Sequence, residues 1–170
     1  MAFEFLSDIR NDSNRLALYV LRVIIGLMWL SEGFIKLVDR YPDPVNDYHF
    51  FLQQIQSMAD TNPFPFVSSI INNFLVPNYE LLAWIVILLE IFLAVSVIAG
   101  VFSRIGSFVG VVYTGILFVS ALGWGEWIWT YPLIATPMLI IFISSFQTRI
   151  GLDQVIYLKY KESKLVKLLI

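Results

Sequence analysis

The sequence predicts an all-α membrane protein, a polytopic four-helix bundle that forms a single domain of 170 residues. Its composition is 58% hydrophobic and only 14% charged, with a mean hydropathy of +0.76, values typical of polytopic membrane proteins. Several apolar runs approach or exceed the length needed to cross a bilayer. We also expect an extracytoplasmic cap of short interfacial helices and a basic amphipathic C-terminal tail.

Four membrane spans follow from the apolar runs, separated by one long connection and two short ones. The predicted spans cover, in order, about residues 16–38, 79–101, 105–122 and 127–146. The long connection, 39–78, contains apolar residues at helical spacings of three and four: Tyr48, Phe51, Leu52, Ile55 and Met58. A connection with its own apolar face is more than a linker, so we interpret it as the cap. The tail covers 147–170.

The distribution of lysine and arginine predicts the orientation. With both termini in the cytoplasm, eight basic residues lie inside: Arg10, Arg15, Arg104, Arg149, Lys159, Lys161, Lys164 and Lys167. Lys36 and Arg40 then lie at the outer side, which satisfies the positive-inside rule. We therefore predict a multi-pass protein of the plasma membrane, in contact with lipid. The net charge of −2 does not indicate a nucleic-acid partner.

The first span carries ionisable residues, each of which costs roughly 2.5–3.5 kcal/mol at membrane depth on insertion scales. One helical stripe combines charged, small and aromatic residues: Arg22, Gly26, Trp29, Gly33 and Lys36. Glu32 lies beside this stripe, four residues before Lys36, in the favourable order for an intrahelical ion pair. We expect this stripe to face the protein interior and to carry the function.

Glu90, near the middle of the second span, leaves two interpretations open. It forms a structural ion pair with Arg22, or it lies in a polar pocket open toward the outer leaflet, where Glu90 or Glu32 exchanges protons with a ligand. Lys36 is similarly either functional or an interfacial lysine that extends its ammonium to the surface. Trp29 is the best candidate for stacking on a planar head group such as a quinone.

The chain offers few ligands for a bound electron carrier. It has no cysteine and a single histidine, so it offers neither a cysteine-ligated iron–sulfur site nor bis-histidine haem ligation. His49 lies near Asp43 and Asp47, but one histidine in a proline-rich loop is weak evidence for a metal, and we predict no metal site.

Several short motifs, in this order along the chain, resemble the DoxX/DoxD family of small four-helix membrane proteins. They are Arg22-x3-Gly26 with Gly33-x2-Lys36, then Glu90 with Gly100 and Ser103-Arg104, then Arg149-x-Gly151-Leu152-Asp153. The long outer connection and the turn GWGEWIWTYP are closest to the DoxD branch. The tail departs from the pattern, with Phe146-Gln147-Thr148 where many relatives carry Gly-Pro-Gly.

This resemblance implies a function. In thermoacidophilic archaea, DoxD is the membrane subunit of thiosulfate:quinone oxidoreductase, which oxidises thiosulfate to tetrathionate and reduces a membrane quinone. The implied partners are a second small subunit, DoxA, and subunits of a terminal quinol oxidase. The implied cofactor is a membrane quinone of the caldariella type.

Site roles follow from combining the resemblance with the charged residues. We expect the anion to bind at Lys36 and Arg40, because cations bind oxyanions. We expect the quinone to bind near Trp29, Arg22 and Glu90, with Glu90 or Glu32 as the proton donor. Arg22, with Arg104 and Asp153, is also assigned to structure or to proton supply from the cytoplasm. The alternative function is a non-catalytic accessory subunit of a terminal quinol oxidase. A small transporter is the least favoured interpretation.

Overall fold

The computed structural model describes residues 2–39, 50–125, 127–145, 151–160 and 163, all of whose regular elements are helical. The α-helices are α1 (Ala2–Asp39), α2 (Phe50–Thr61), α3 (Pro65–Ile70), α4 (Tyr79–Val95), α5 (Ser103–Ser120), α6 (Thr130–Ser144) and α7 (Leu152–Tyr160). The predicted anion-site residue Arg40, the acidic loop around His49, and Arg149 lie outside the described residues.

Three helical segments are long and apolar enough to cross a membrane. They are Ser13–Val38, Pro65–Gly100 and Ser103–Ser120, with hydropathies of 1.7, 2.8 and 1.4. Thr130–Ser144 is a shorter apolar helix. At 1.5 Å per residue its length is roughly 22 Å, less than the ~30 Å hydrocarbon core. The structure therefore supports a membrane protein with three candidate spans.

The helical segment that contains the predicted second span begins at Pro65, before the predicted start of that span at Tyr79. Pro65 occupies the start of α3, where the missing N–H of proline costs nothing. A π-helical turn, Ile71–Leu75, and a 3₁₀ turn, Val76–Asn78, then connect α3 to α4 without interruption. Pro77 is accommodated in this 3₁₀ turn.

The helices pack as two close pairs, α1 with α4 and α5 with α6. Glycines make the close approach possible, because added Cβ atoms would meet the neighbouring helix. A Cβ on Gly26 would meet Ile98, and one on Gly33 would meet Glu90 and Ile91, so α1 and α4 run antiparallel. Gly110 of α5 packs against Met138 of α6 in the same way.

Two apolar clusters fill the interior. We call the first the apolar plug; it joins α1, α4, α6 and the helical turn that follows α4, and consists of Ile25, Trp29, Leu93, Ala94, Val97, Met138 and Ile141. The second cluster places Phe51, Ile55 and Met58 of α2 against residues of α4 and α6 such as Val86 and Tyr131. The helical spacing that predicted α2 and its apolar face is thus confirmed.

The outer surfaces of the long helices are strongly apolar. Residues more than half exposed include Leu16, Ile24, Phe34, Leu88, Phe108 and Ile116. A surface of this kind is stable against lipid and unfavourable in water, so these helices are in contact with lipid. The predicted interior stripe of α1 is confirmed, since Arg22, Gly26, Trp29 and Gly33 are buried and Lys36 is only 11% exposed.

The α4–α5 turn is closed by a side chain from α7. Phe102 has a left-handed backbone conformation (φ 53°), and Gly100 has φ 67°. The buried carboxylate of Asp153 accepts hydrogen bonds from Phe102 N at 2.8 Å and from Ser103 N at 2.9 Å. Ser103 Oγ donates to the same carboxylate at 2.5 Å. Asp153 therefore satisfies the free N–H groups at the start of α5, as a capping side chain does.

Candidate functional site: a cavity beside a buried ion pair

A cavity of about 220 Å³ lies between the two helix pairs, at the end covered by α2. Trp29 and Lys36 of α1, Glu90 of α4 and Tyr113 of α5 form part of its wall. Most of the remaining lining is apolar and comes from α2, α4, α5 and α6, including Ile55, Met58, Val86, Leu117 and Ile134. The site is thus an apolar chamber with a few convergent polar groups, the usual character of a small-molecule site.

Lys36 joins two carboxylates across the α1–α4 interface. Its Nζ lies 3.0 Å from Glu90 Oε1 and 3.0 Å from Glu32 Oε2. Glu90 is 1% exposed, whereas Glu32 is 48% exposed. The predicted intrahelical pair between Glu32 and Lys36 is confirmed. The partner of Glu90 is Lys36 rather than Arg22, because α1 meets Glu90 at Gly33, one turn before Lys36, whereas Arg22 lies three turns earlier and faces Val97.

Tyr113 completes this polar cluster. Its hydroxyl donates to Glu90 Oε1 at 3.0 Å, and its ring lies 5.5 Å from the ring of Trp29 between centroids, with planes tilted by 38°. Sequence reasoning did not select Tyr113 as a site residue. The available signal was its position on the face that carries Gly106 and Gly110, at spacings of four and three.

Two buried polar atoms of cavity-lining residues have no hydrogen-bond partner among the residues that the structure describes. Glu90 Oε2 and Trp29 Nε1 are buried and make no hydrogen bond to any described residue. Buried polar atoms are nearly always hydrogen-bonded, so each exception requires an explanation. The site therefore holds one carboxylate oxygen and one N–H group that the contacts between described residues do not use.

Arg22 does not line the cavity. It lies two turns before Trp29, roughly 10 Å along the axis of α1, and its Nε donates to Val97 O at 2.8 Å. The apolar plug separates this contact from Glu90. The predicted quinone-binding set therefore divides: Trp29 and Glu90 come together with Lys36 and Glu32, while Arg22 belongs to the opposite end, where Asp153 caps α5.

The fold and the site define a class of protein: a helical membrane protein with ionisable side chains gathered between its candidate spans beside an apolar cavity. The sequence profile of the DoxX family matches residues 17–124, which include the membrane part of α1 and extend through α5. The chain belongs to the DoxX family. No curated protein and no solved structure gives a significant match.

Proposed function

We propose that this chain binds the head group of a membrane quinone in the cavity and serves as the membrane subunit of a thiosulfate:quinone oxidoreductase of the DoxD kind. The supporting observation is the buried Lys36–Glu90–Tyr113 cluster in the wall of an apolar chamber that lies between membrane helices. A membrane quinone needs donors for its carbonyl oxygens, apolar walls for its ring, and access from lipid.

The chamber matches these needs in chemistry and size. Trp29 supplies an N–H donor and Lys36 supplies an ammonium, while Tyr113, whose hydroxyl donates to Glu90, offers its oxygen as an acceptor for a quinol O–H. The volume of about 220 Å³ is smaller than the ~300–1,000 Å³ of sites for drug-sized ligands, so it suits a ring rather than a whole quinone. Ile116 lines the chamber and is also 59% exposed on the apolar surface, which gives the isoprenoid tail a way out.

The reaction is balanced without an electron carrier in this chain. Two thiosulfate ions form the S–S bond of tetrathionate and release two electrons, and the quinone takes these electrons with two protons to become the quinol. Glu90 is the group we assign to proton delivery, because it lines the chamber and its buried Oε2 makes no hydrogen bond to any described residue. Lys36 and Tyr113 hold its other oxygen and so fix its position.

Lys36 is a poor candidate for the thiosulfate site. Glu32 and Glu90 place two carboxylates around one ammonium, and this excess of negative charge repels a dianion such as thiosulfate. We therefore propose that a second subunit, resembling DoxA, supplies most of the thiosulfate site at the mouth of the chamber. Arg40 remains a candidate contributor.

We further propose that α6 is the fourth span and that both termini are cytoplasmic. α6 is apolar and packs antiparallel to α5, and the lysine and arginine distribution favours this orientation. The chamber then lies in the outer half of the membrane, under an extracytoplasmic cap to which α2 belongs.

An accessory subunit of a terminal quinol oxidase is the second candidate. The observation that favours it is the ion pair itself: Lys36 and Glu90 join α1 to α4, and a buried pair of this kind fixes the arrangement of two helices even where no ligand binds. On this alternative the chamber is filled by lipid and the chain has no activity of its own.

Thiosulfate-dependent reduction of decylubiquinone by the purified chain, with and without its co-purifying subunits, distinguishes the two. We expect Glu90→Gln to lower the turnover by about 100-fold or more, the range for loss of a general acid. Glu80→Gln, an exposed change near the start of α4, is the matched control and should retain full activity. Full activity in a folded Glu90→Gln variant would refute the role of this site. Inactivity of every preparation, with oxidase subunits bound, would favour the accessory subunit.

A further inference from the structure

The polar groups around Glu90 lead toward one end of the molecule. From α1, Lys36 Nζ lies 3.0 Å from Glu90 and 3.0 Å from Glu32, whose side chain is 48% exposed. From α5, Tyr113 donates to Glu90, and Tyr131 of α6 and Gln54 of α2 line the same chamber. The line Glu32–Lys36–Glu90 therefore connects a buried carboxylate to the surface at the end of the bundle that α2 covers.

In the opposite direction, the buried hydroxyls that α5 contributes, Thr114 and Ser107, donate to backbone carbonyls of their own helix, and α1, α4 and α6 contribute the apolar plug. Glu90 and Val97, which accepts the Arg22 hydrogen bond, are seven residues apart on one helical run, or about 10 Å. Leu93, Ala94 and Trp29 occupy the interval on α4 and α1, and Met138 and Ile141 fill it from α6. Each is 2% exposed or less, and none carries a side-chain group that titrates.

We propose that Glu90 exchanges protons with the side of the membrane that carries α2 and not with the side that carries α7. A consequence follows for turnover, and it rests on the proposed function. The quinone takes both of its protons from the side of the membrane on which thiosulfate is oxidised. Two thiosulfate ions, one quinone and two protons then give tetrathionate and quinol with no charge crossing the membrane. Turnover is therefore electroneutral.

The side of the membrane with which Glu90 exchanges protons can be measured without enzymatic turnover. Dicyclohexylcarbodiimide enters membranes and modifies protonated carboxyl groups, so the rate at which the Glu90 adduct appears in peptide mass spectra reports its protonation. Sealed vesicles of the full complex would be buffered separately inside and outside. The exposed Asp60 of α2 provides an internal reference for the α2 side, and Glu90→Gln identifies the Glu90 adduct.

Vesicle orientation is determined independently. The chain has no cysteine, so Asp60→Cys on α2 and Leu158→Cys on α7 provide unique sites for a membrane-impermeant maleimide. Both positions are exposed and lie away from the chamber.

The expected result is that the Glu90 modification rate follows the pH of the α2 side, falling by up to about tenfold per pH unit, and does not change with the pH of the α7 side. A rate that follows the α7 side, or both sides equally, would overturn the inference. A voltage-sensitive dye, with thiosulfate and decylubiquinone added, tests the consequence: we expect quinol formation with no change in membrane potential. A potential that forms with turnover would overturn electroneutrality. Absence of turnover would count against the proposed function while the carbodiimide result still decides the sidedness.

Discussion

Removing the ammonium of Lys36 should be one of the most destabilising single changes in the chain. In Lys36→Met the side-chain stem is kept and the charge is lost, so Glu90, which is 1% exposed, loses its counter-ion. Removing one partner of a buried ion pair costs about 3–5 kcal/mol, because the remaining charge is left without compensation. The loss should decrease as the pH falls, since a protonated Glu90 carries no charge.

The matched control removes the second ion pair of Lys36, the one with Glu32. Glu32→Gln removes a pair in which the carboxylate is 48% exposed, and such pairs contribute about 0.2–1 kcal/mol. The double variant Lys36→Met/Glu90→Gln removes both charges and should recover most of the stability lost in Lys36→Met. The difference between the double variant and the sum of the single variants is the coupling energy of the pair.

Unfolding of the purified protein in mixed micelles, titrated with sodium dodecyl sulfate and followed by circular dichroism, measures these differences. A destabilisation by Lys36→Met no larger than that by Glu32→Gln would refute the argument that Glu90 depends on Lys36. A double variant whose destabilisation equals the sum of the two single variants would also refute this argument.

Two further changes test the packing and the capping. Gly106→Ala should destabilise the protein by about 1–3 kcal/mol, because the added Cβ would overlap Ser96. Gly115→Ala, with open space around the added Cβ, should be neutral or stabilising. Thermal unfolding of both variants distinguishes a packing effect from a helix-propensity effect. Asp153→Ala should destabilise the protein by about 1–3 kcal/mol and expose the Phe102 amide to hydrogen exchange. Asp60→Ala, at an exposed position, should change neither the stability nor the exchange at Phe102. Unchanged exchange at Phe102 in Asp153→Ala would contradict the capping role.

The sequence predicted those features of the site that depend on a single helix. The spacing of Arg22, Trp29 and Lys36 identified the buried stripe of α1, and the i, i+4 spacing identified the Glu32–Lys36 pair. Burial of Glu90 followed from the cost of an ionised group at membrane depth. The helix α2 followed from its apolar spacing, because a local period determines which face of a helix is apolar whatever packs on it.

Features that join helices were not predictable in the same way. The partner of Glu90 depends on the rotation and register of α1 against α4, which Gly33 and Gly26 determine only once the two helices are known to be neighbours. Tyr113 reaches Glu90 because α5 is also adjacent; its spacing from Gly106 and Gly110 indicates a packed face of α5 but does not identify Glu90 as its partner. The continuation of this helical segment back to Pro65 was not predicted because Pro77 ordinarily ends a helix, and here a 3₁₀ turn accommodates it.

The measurement that most directly tests the central claim is the location of a bound quinone. An azido derivative of ubiquinone would be photolysed with the purified complex, and the labelled peptides would be identified by mass spectrometry with and without excess decylubiquinone. The account predicts label on residues of the chamber wall, such as Met28, Ile116 and Leu117, that disappears with the competitor and weakens in Tyr113→Phe. Label spread over lipid-facing residues such as Leu88 and Leu139, and unaffected by the competitor, would contradict it.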